Sequence, residues 1–302
     1  VATKSLTILL AGASGMIGQP LAALLREQGH SVHLLVRREP TDPSEHRWDP
    51  STGSIESGII NSADVVINLA GASIGKLPWT PQHKALIMSS RVETTGTLAA
   101  AIASSATPPA ALLQASAVGY YGDRGDEDLN EESTAGVGFL ADVVRAWEGA
   151  AEPASTKKTR VIFARTGLVV GKGGAMTPLK LQTALGVAGP IGRGTQWWPW
   201  ISLHDEVRAL AHLAVHPSAK GPYNLVGPTP AQANGLTKAL ARAMKRPFWL
   251  GLPRFIISLV MGEGGTSLLL ASQKVDAGNL EAVDFHHDDI TVEDAVARLV
   301  KA

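Results

Sequence analysis

Leu6-Thr7-Ile8-Leu9-Leu10-Ala11-Gly12-Ala13-Ser14-Gly15-Met16-Ile17-Gly18 decides the fold of this chain. Its first half is a short apolar run that reads as a buried parallel strand. Its second half is G-x-x-G-x-x-G, placed where that strand would turn into a helix. A diphosphate held at a helix N-terminus must touch backbone N–H groups, and any Cβ there would keep it away. Gly12 permits the tight turn, Gly15 the close approach and Gly18 the contact of helix with strand, while Ser14, Met16 and Ile17 carry the intervening amides. The same glycines could form a turn that holds no ligand; the strand before them and the helix after them favour a bound dinucleotide.

Working outward, Leu21, Leu24, Leu25 and Gln28 fall at helical spacing, and Gly29 supplies the stop. Ser31–Val36 reads as the next strand, completing a βαβ unit of about 30 residues. Its end reads Val36-Arg37-Arg38-Glu39. An NAD enzyme places an Asp or Glu there to hold the adenosine ribose, whereas two guanidiniums suit a 2′-phosphate, which they can grip by paired charge-assisted hydrogen bonds. NADP(H) is therefore the expected cofactor. NAD(H) is less favoured, kept open by Glu39, and an exposed charged turn is the plain alternative.

Asp64–Leu69, Ala111–Ser116 and Arg160–Val170 read as further buried strands with helical patterns between them. That alternation predicts an α/β fold with a doubly wound parallel sheet, the Rossmann fold. From Gly171 to Gly194 the chain turns rich in Gly, Pro and Thr, as if leaving the sheet. Tyr223–Val226 looks like a returning strand closed by Gly227-Pro228-Thr229-Pro230, and Leu236–Met244 and Asp294–Val300 read as amphipathic helices. The expected organisation is a dinucleotide-binding domain over 1–226, with an excursion toward a substrate lobe at about 171–202, and that small C-terminal lobe over 227–302.

Of the 302 residues, 45% are hydrophobic and 18% charged, a globular profile long enough for a large core. Lys plus Arg equals Asp plus Glu at 27 each, leaving no basic excess to neutralise a phosphate backbone, so nucleic acid is not an expected partner. The absence of cysteine excludes disulfides and thiolate chemistry and suits a reducing compartment, by default the cytoplasm. No apolar run approaches the roughly 18 residues of a membrane span, so neither export nor insertion is expected. The expected partner is a small-molecule substrate, with monomer and homodimer both open.

With these stretches go Asp64-Val65-Val66-Ile67-Asn68-Leu69-Ala70-Gly71 and Ser116-Ala117-Val118-Gly119-Tyr120-Tyr121-Gly122. Together they make the chain resemble the extended short-chain dehydrogenase/reductases, and more narrowly their atypical SulA-like epimerase subgroup within the NAD-dependent epimerase/dehydratase family. Trp79-Thr80, Ser90-Arg91, Gly138-Phe139-Leu140-Ala141 with Trp147-Glu148, Arg165-Thr166-Gly167, Trp200 through Asp205, Tyr223-Asn224-Leu225, Gly262-Glu263 and Ser272 through Val275 extend the likeness over nearly the whole chain. Asp276-Ala277-Gly278 and Asp284-Phe285 depart from the subgroup's tail. The resemblance implies a Rossmann domain that binds NADP, with substrate held against the C-terminal lobe. It also implies cofactor contacts at Leu69, Ala70 and Gly71 after the third strand, and at Arg91 and Arg165.

Active members of these enzymes carry Tyr-x-x-x-Lys on the helix after the serine strand, Tyr moving the proton and Lys lowering its pKa. By the resemblance, Phe139 stands in the Tyr position and Val143 in the Lys position. Neither can relay a proton. The substitutes at hand are Ser116, at or beside the active-site serine, with Tyr121 as a second substrate contact and Tyr120 as a replacement acid; each ring could instead anchor a loop. Lys84 or Arg91 could supply the missing positive charge, although a solvated helix face is the favoured alternative for Lys84. Arg165 could equally be a structural ion pair.

Trp197, Trp198 and Trp200 could wall an apolar pocket or pack between lobes. His204 and Asp205 could be an acid–base pair, although the resemblance favours Asp205 as a helix cap. His286-His287-Asp288-Asp289 reads as a solvated turn rather than a ligand set, since adjacent residues point apart, and no metal is expected. The reading is an NADP(H)-dependent oxidoreductase or epimerase-like enzyme acting on a small molecule, with a nucleotide sugar as the traditional guess. The alternative is an NADP-binding sensor or regulatory module without catalysis.

Overall fold

The computed structural model describes residues 5–56 and 58–301. Strand β1 (Thr7–Ala11) feeds helix α1 (Gly18–Glu27), and the chain continues through β2 (Ser31–Val36), β3 (Glu45–Asp49), β4 (Ser54–Ile55) and β5 (Val65–Asn68). After β5 come α2 (Pro81–Ala103), β6 (Ala111–Ala117), α3 (Phe139–Gly149), β7 (Arg160–Thr166), α4 (Leu203–Val215) and β8 (Gly221–Leu225). These eight strands form one sheet in the order β8-β7-β6-β5-β1-β2-β3-β4, parallel throughout except for β4 against β3. The winding reverses at β1, between β5 and β2, and the crevice outside the carboxyl ends of such strands is where doubly wound sheets take ligands.

Alternate residues of each strand feed two cores. Ile8, Leu10, Ile67, Leu113 and Ile162 face α1 and α4, meeting Leu21, Leu25, Leu210 and Leu213. Leu9, Ala11, Val66, Leu112 and Val161 face the other way, onto Leu98 and Ile102 of α2. Burial on both sides is why β1 reads as a continuous apolar run: Ile8 through Ala11 are fully enclosed. Among the described residues no helix is long and apolar enough to cross a membrane.

One expectation needs correction, and one pair of strands was missed. Arg160–Val170 is not one strand, because it breaks at Gly167, where a Cβ would lie 2.3 Å from the Pro199 carbonyl oxygen. Beyond that point Leu168–Val170 pairs in parallel with Trp200–Ser202 and leaves the main sheet. β3 and β4 were not anticipated, since Glu45-His46-Arg47-Trp48-Asp49 is charged and buries only Trp48 fully, as a place beside the sheet's edge allows.

A third core unites the excursion with the C-terminal segment. Val170, Met176, Leu179, Ile191, Trp198 and Trp200 pack with Leu236, Leu240, Ile257, Val296 and Leu299. The predicted helices appear as Ala233–Ala243 and Val292–Lys301 and lie against each other.

Candidate functional site

The glycine loop lies at the point of reversal. Gly12 has φ +84°, and a Cβ on it would sit 2.6 Å from the Leu69 carbonyl carbon and 2.8 Å from the Ala70 nitrogen. A Cβ on Gly18 would meet the Gly12 carbonyl oxygen at 2.3 Å, so this glycine lets the helix close on the loop itself rather than on the strand. Gly15 differs: it is exposed, and its nearest obstruction is the Gly12 oxygen at 3.3 Å. Two glycines therefore serve the protein's own backbone, whereas bareness at Gly15 leaves room for something outside it. The helix begins at Gly18 with Ile17 as its cap residue, so the Met16–Ile17 stretch presents the unpaired amides of a helix start.

The two arginines after β2 have different surroundings. Arg38 spans both oxygens of Glu45, at 2.7 and 2.5 Å, and also donates to Thr41. Arg37 is exposed and makes no ion pair among the described residues. Glu39, which kept the ribose-hydroxyl reading open, is paired with Arg47 on the neighbouring β3.

Beyond β5, Leu69 donates its N–H to Ala11 O at 2.9 Å, and Asn68 Oδ1 accepts from the Ala70 N–H, so the loop and this segment are held together. Gly71 lies under Arg91: a Cβ there would be 3.5 Å from the guanidinium carbon. The Arg91 guanidinium donates to the Ala72 and Ile87 carbonyls, stands 4.9 Å over the Trp147 ring and has no carboxylate partner among the described residues. Burial lowers its pKa to about 10, the mark of a cation without a counter-ion.

Strand register sets Ser116, Arg165 and Asn224 side by side on β6, β7 and β8. Glu148 reaches this row from α3, taking Arg165 Nε and Nη2 on its two oxygens at 2.9 Å each and the Ser116 hydroxyl at 2.6 Å. Arg165 Nη1 donates to the Tyr121 hydroxyl at 3.1 Å, and that hydroxyl donates to Asn224 Oδ1 at 2.7 Å. Burial alone would depress the Arg165 pKa, but the Glu148 carboxylate outweighs it and the value rises. Burial pushes Tyr121 up, with Arg165 and Asn224 opposing, and burial likewise raises Glu131, which accepts the Asn224 N–H at 2.8 Å.

Of the expected catalytic group, Ser116 is 4% exposed and Tyr121 fully enclosed, both hydroxyls engaged inside this network. Tyr120 lies outside it. Its half-buried ring stacks 3.6 Å under the Arg165 guanidinium, and its hydroxyl has no hydrogen-bond partner among the described residues. Arg165 is enclosed and forked onto Glu148, the arrangement of the ion-pair alternative. Sequence reasoning gave no role to Glu148, Glu131, Asn224 or the buried Asn68–Gln114 pair, although a lone amide inside Ala111-Leu112-Leu113-Gln114 is a visible signal.

Phe139 opens α3, half-buried, with Trp79 edge-on at 5.3 Å and Lys84 Nζ 4.3 Å over its ring. Val143 is buried. Lys84 is not solvated alone: its Nζ meets Glu263 Oε2 at 2.8 Å.

Other clusters resolve into structure. The tryptophans leave a void of only about 10 Å³ beside them, too little for a ligand, and Trp198 and Trp200 are core residues. The cap of α4 is Ser202, not Asp205, because the Asp205 N–H bonds to the Ser202 hydroxyl at 3.1 Å. Asp205 is buried instead, accepting from the Asp288 and Asp289 N–H groups and pairing with Arg208. The 286–289 turn is correspondingly tied down, with Asp289 bound to Arg298 and His287 to the Val226 carbonyl. His204, Asp205 and Asp288 bring donor atoms within 4.8 Å of one another, but these atoms already hold hydrogen bonds and ion pairs. A groove of about 1020 Å³ lies against α1 and α4 and contains none of the site residues.

Comparison with known proteins agrees with this architecture. Residues 8–227 match the NAD dependent epimerase/dehydratase family, and residues 252–299 match a domain of unknown function, DUF1731. An epimerase family protein of Mycobacterium leprae is 39% identical over 292 residues, covering 96% of this chain and 94% of that protein. One of Staphylococcus haemolyticus is 34% identical over 300 residues, covering 97% and 99%. The crystal structure of the human epimerase family protein SDR39U1 with NADPH superposes with a TM-score of 0.91 at 31% identity, covering 98% of this chain and 99% of that one. A nucleoside-diphosphate sugar epimerase from Corynebacterium glutamicum gives 0.82 at 34% identity, covering 98% of this chain and 58% of that one. The chain belongs to the NAD dependent epimerase/dehydratase family, as an atypical extended short-chain dehydrogenase/reductase.

Proposed function

We propose that this protein is an NADP(H)-dependent oxidoreductase or epimerase-like enzyme acting on a small molecule held between the sheet's carboxyl edge and the C-terminal lobe. The observation that carries the choice of NADP is the pairing pattern after β2. Glu45 holds Arg38 and Arg47 holds Glu39, leaving Arg37 uncommitted for a 2′-phosphate. The human relative's crystal structure with NADPH supports the same reading.

The residues present fit the group. Gly12, Ser14, Gly15, Met16, Ile17 and Gly18 form a cradle whose open glycine admits a diphosphate to the helix start. Leu69, Ala70 and Gly71 line the adjoining strand end, and Arg91 is a cation without a counter-ion beside it. When bound, the nicotinamide supplies or accepts hydride. The chain's own work is to orient and to manage protons. Ser116, Tyr121, Glu148 and Arg165 act as positioning residues, fixing the row on which Tyr120 rests, and Tyr120 offers its hydroxyl to a substrate oxygen. A nucleotide sugar as substrate is consistent with the Corynebacterium relative's name.

The test is NADPH oxidation across a carbonyl library, with binding of NADP+ and NAD+ measured by calorimetry. Turnover that falls in Tyr120→Phe, with NADP+ bound more tightly than NAD+, is the expected result. A second reading, a binding module without catalysis, is favoured by the closed hydrogen bonds of Ser116 and Tyr121 and by Phe139 and Val143. NADP+ bound tightly without turnover of any compound would select it.

A further inference from the structure

Lys84 of α2 and Glu263 of the C-terminal segment meet beside Phe139. Lys84 lies in the first turn of α2, which Thr80 caps by accepting the His83 N–H at 3.1 Å. Glu263 comes from the helix Arg254–Gly265, broken at Gly262 by φ +60°, ψ −146°. Gly264 then presses onto the loop before α2, where a Cβ would lie 2.4 Å from Leu77 Cδ2 and 2.9 Å from Trp79 Cδ2. A kink and a side-chain-free contact thus set the Glu263 carboxylate 2.8 Å from Lys84 Nζ, while the ammonium stands 4.3 Å over the Phe139 ring.

The pair is accessible, with side chains 30% and 51% exposed, so as an ion pair it adds little to stability. The other cations nearby cannot release a proton: Arg165 is locked to Glu148, and a guanidinium stays protonated throughout the working range. The Ser116 and Tyr121 protons are committed to Glu148 and Asn224. Lys84 brings a transferable proton to the helix start, over the ring that stands where the resemblance expects a phenol.

We propose that Lys84 is the proton donor to the substrate oxygen and that Glu263 positions and recharges it. This rests on the oxidoreductase reading above. In carbonyl reduction the substrate carbon gains the hydride, the C=O π pair moves onto oxygen, and that oxygen takes a proton from Lys84 Nζ. The two electrons come from the reduced coenzyme, which leaves oxidised, and the neutral amine regains a proton from water by way of the Glu263 carboxylate. Alcohol oxidation runs the same transfers backwards.

The experiment uses the full chain with NADPH and three probe classes: diacetyl, phenanthrenequinone and aromatic aldehydes. Lys84→Met is expected to lower kcat at least about 100-fold, with NADPH Kd and Tm unchanged and part of the rate restored by added methylamine. Lys84→Arg is expected to stay impaired and Glu263→Gln to lose about 10-fold. Independently of turnover, the 13C signal of dimethylated Lys84, assigned by its loss in Lys84→Met, is expected to shift when NADP+ is added. An active wild type whose Lys84→Met variant keeps its kcat overturns the donor assignment and spares the enzyme reading. So does a 13C signal unmoved by saturating NADP+, or a kcat that falls only in step with Tm. A wild type that binds NADPH and turns over none of the probes overturns the enzyme reading and this assignment with it.

Discussion

Arg165 and Glu148 form a two-pronged ion pair, both contacts at 2.9 Å, with side chains only 5% and 13% exposed. The pair joins β7 to α3 and holds Ser116 and Tyr121 by their hydroxyls. Enclosed charges are tolerated when each satisfies the other, and losing one partner strands the other in a low-dielectric interior.

Glu148→Gln should therefore destabilise the protein by about 3–5 kcal/mol, measured by urea unfolding. Replacing Glu148 and Arg165 together by methionine should cost less than Glu148→Gln alone. A single variant as stable as wild type would show that water reaches the guanidinium.

Arg37→Ala should weaken NADP+ binding by roughly 10- to 100-fold and hardly change NAD+ binding, because the contact proposed for it is with the 2′-phosphate. Arg38→Ala should do less, its guanidinium being held by Glu45. Calorimetry with both coenzymes decides it; equal losses for the two would mean that Arg37 does not read the phosphate.

The three loop glycines should separate by readout. Gly15→Val should abolish coenzyme binding with a smaller loss of Tm, since a Cβ there meets only the Gly12 oxygen at 3.3 Å, whereas Gly12→Ala and Gly18→Ala should lower Tm more by forcing apart backbone atoms. Undiminished affinity in Gly15→Val would remove the loop from the binding site.

Glu206 is fully enclosed, with one oxygen on the Thr166 hydroxyl at 2.8 Å and the other unpaired, and burial raises its pKa to about 8. The folded value lies above the unfolded one, so the unfolded chain ionises first and this group costs stability as pH rises from about 4.5 to about 8. Glu206→Gln should be near wild type at pH 4.5 and gain on it up to pH 8, by on the order of 3–5 kcal/mol. A difference independent of pH would show that the carboxyl ionises freely in the fold.

Elements buried on both faces were legible in the sequence because their signal is local. Ser31–Val36 was read to the residue, and α1 with its glycine turn followed from spacing alone. β3 and β4 were not, since a strand with only the two-residue β4 beyond it can carry Glu45 and Arg47 and looks like a loop. The break at Gly167 was hidden inside an apolar run, because what stops the strand is Pro199, more than thirty residues away.

Local pattern along the chain was enough for the doubly wound sheet, the glycine turn after β1, the arginines after β2 and the Phe139 and Val143 that open the helix after the serine strand. Those are properties of neighbours along the chain, where periodicity and side-chain type suffice. Tertiary structure alone decided which hydroxyls are spoken for. Strand register put Ser116, Arg165 and Asn224 in one row, and a kink at Gly262 carried Glu263 to Lys84. Contacts between segments 30 to 180 residues apart depend on how cores close, and no local pattern encodes that closure.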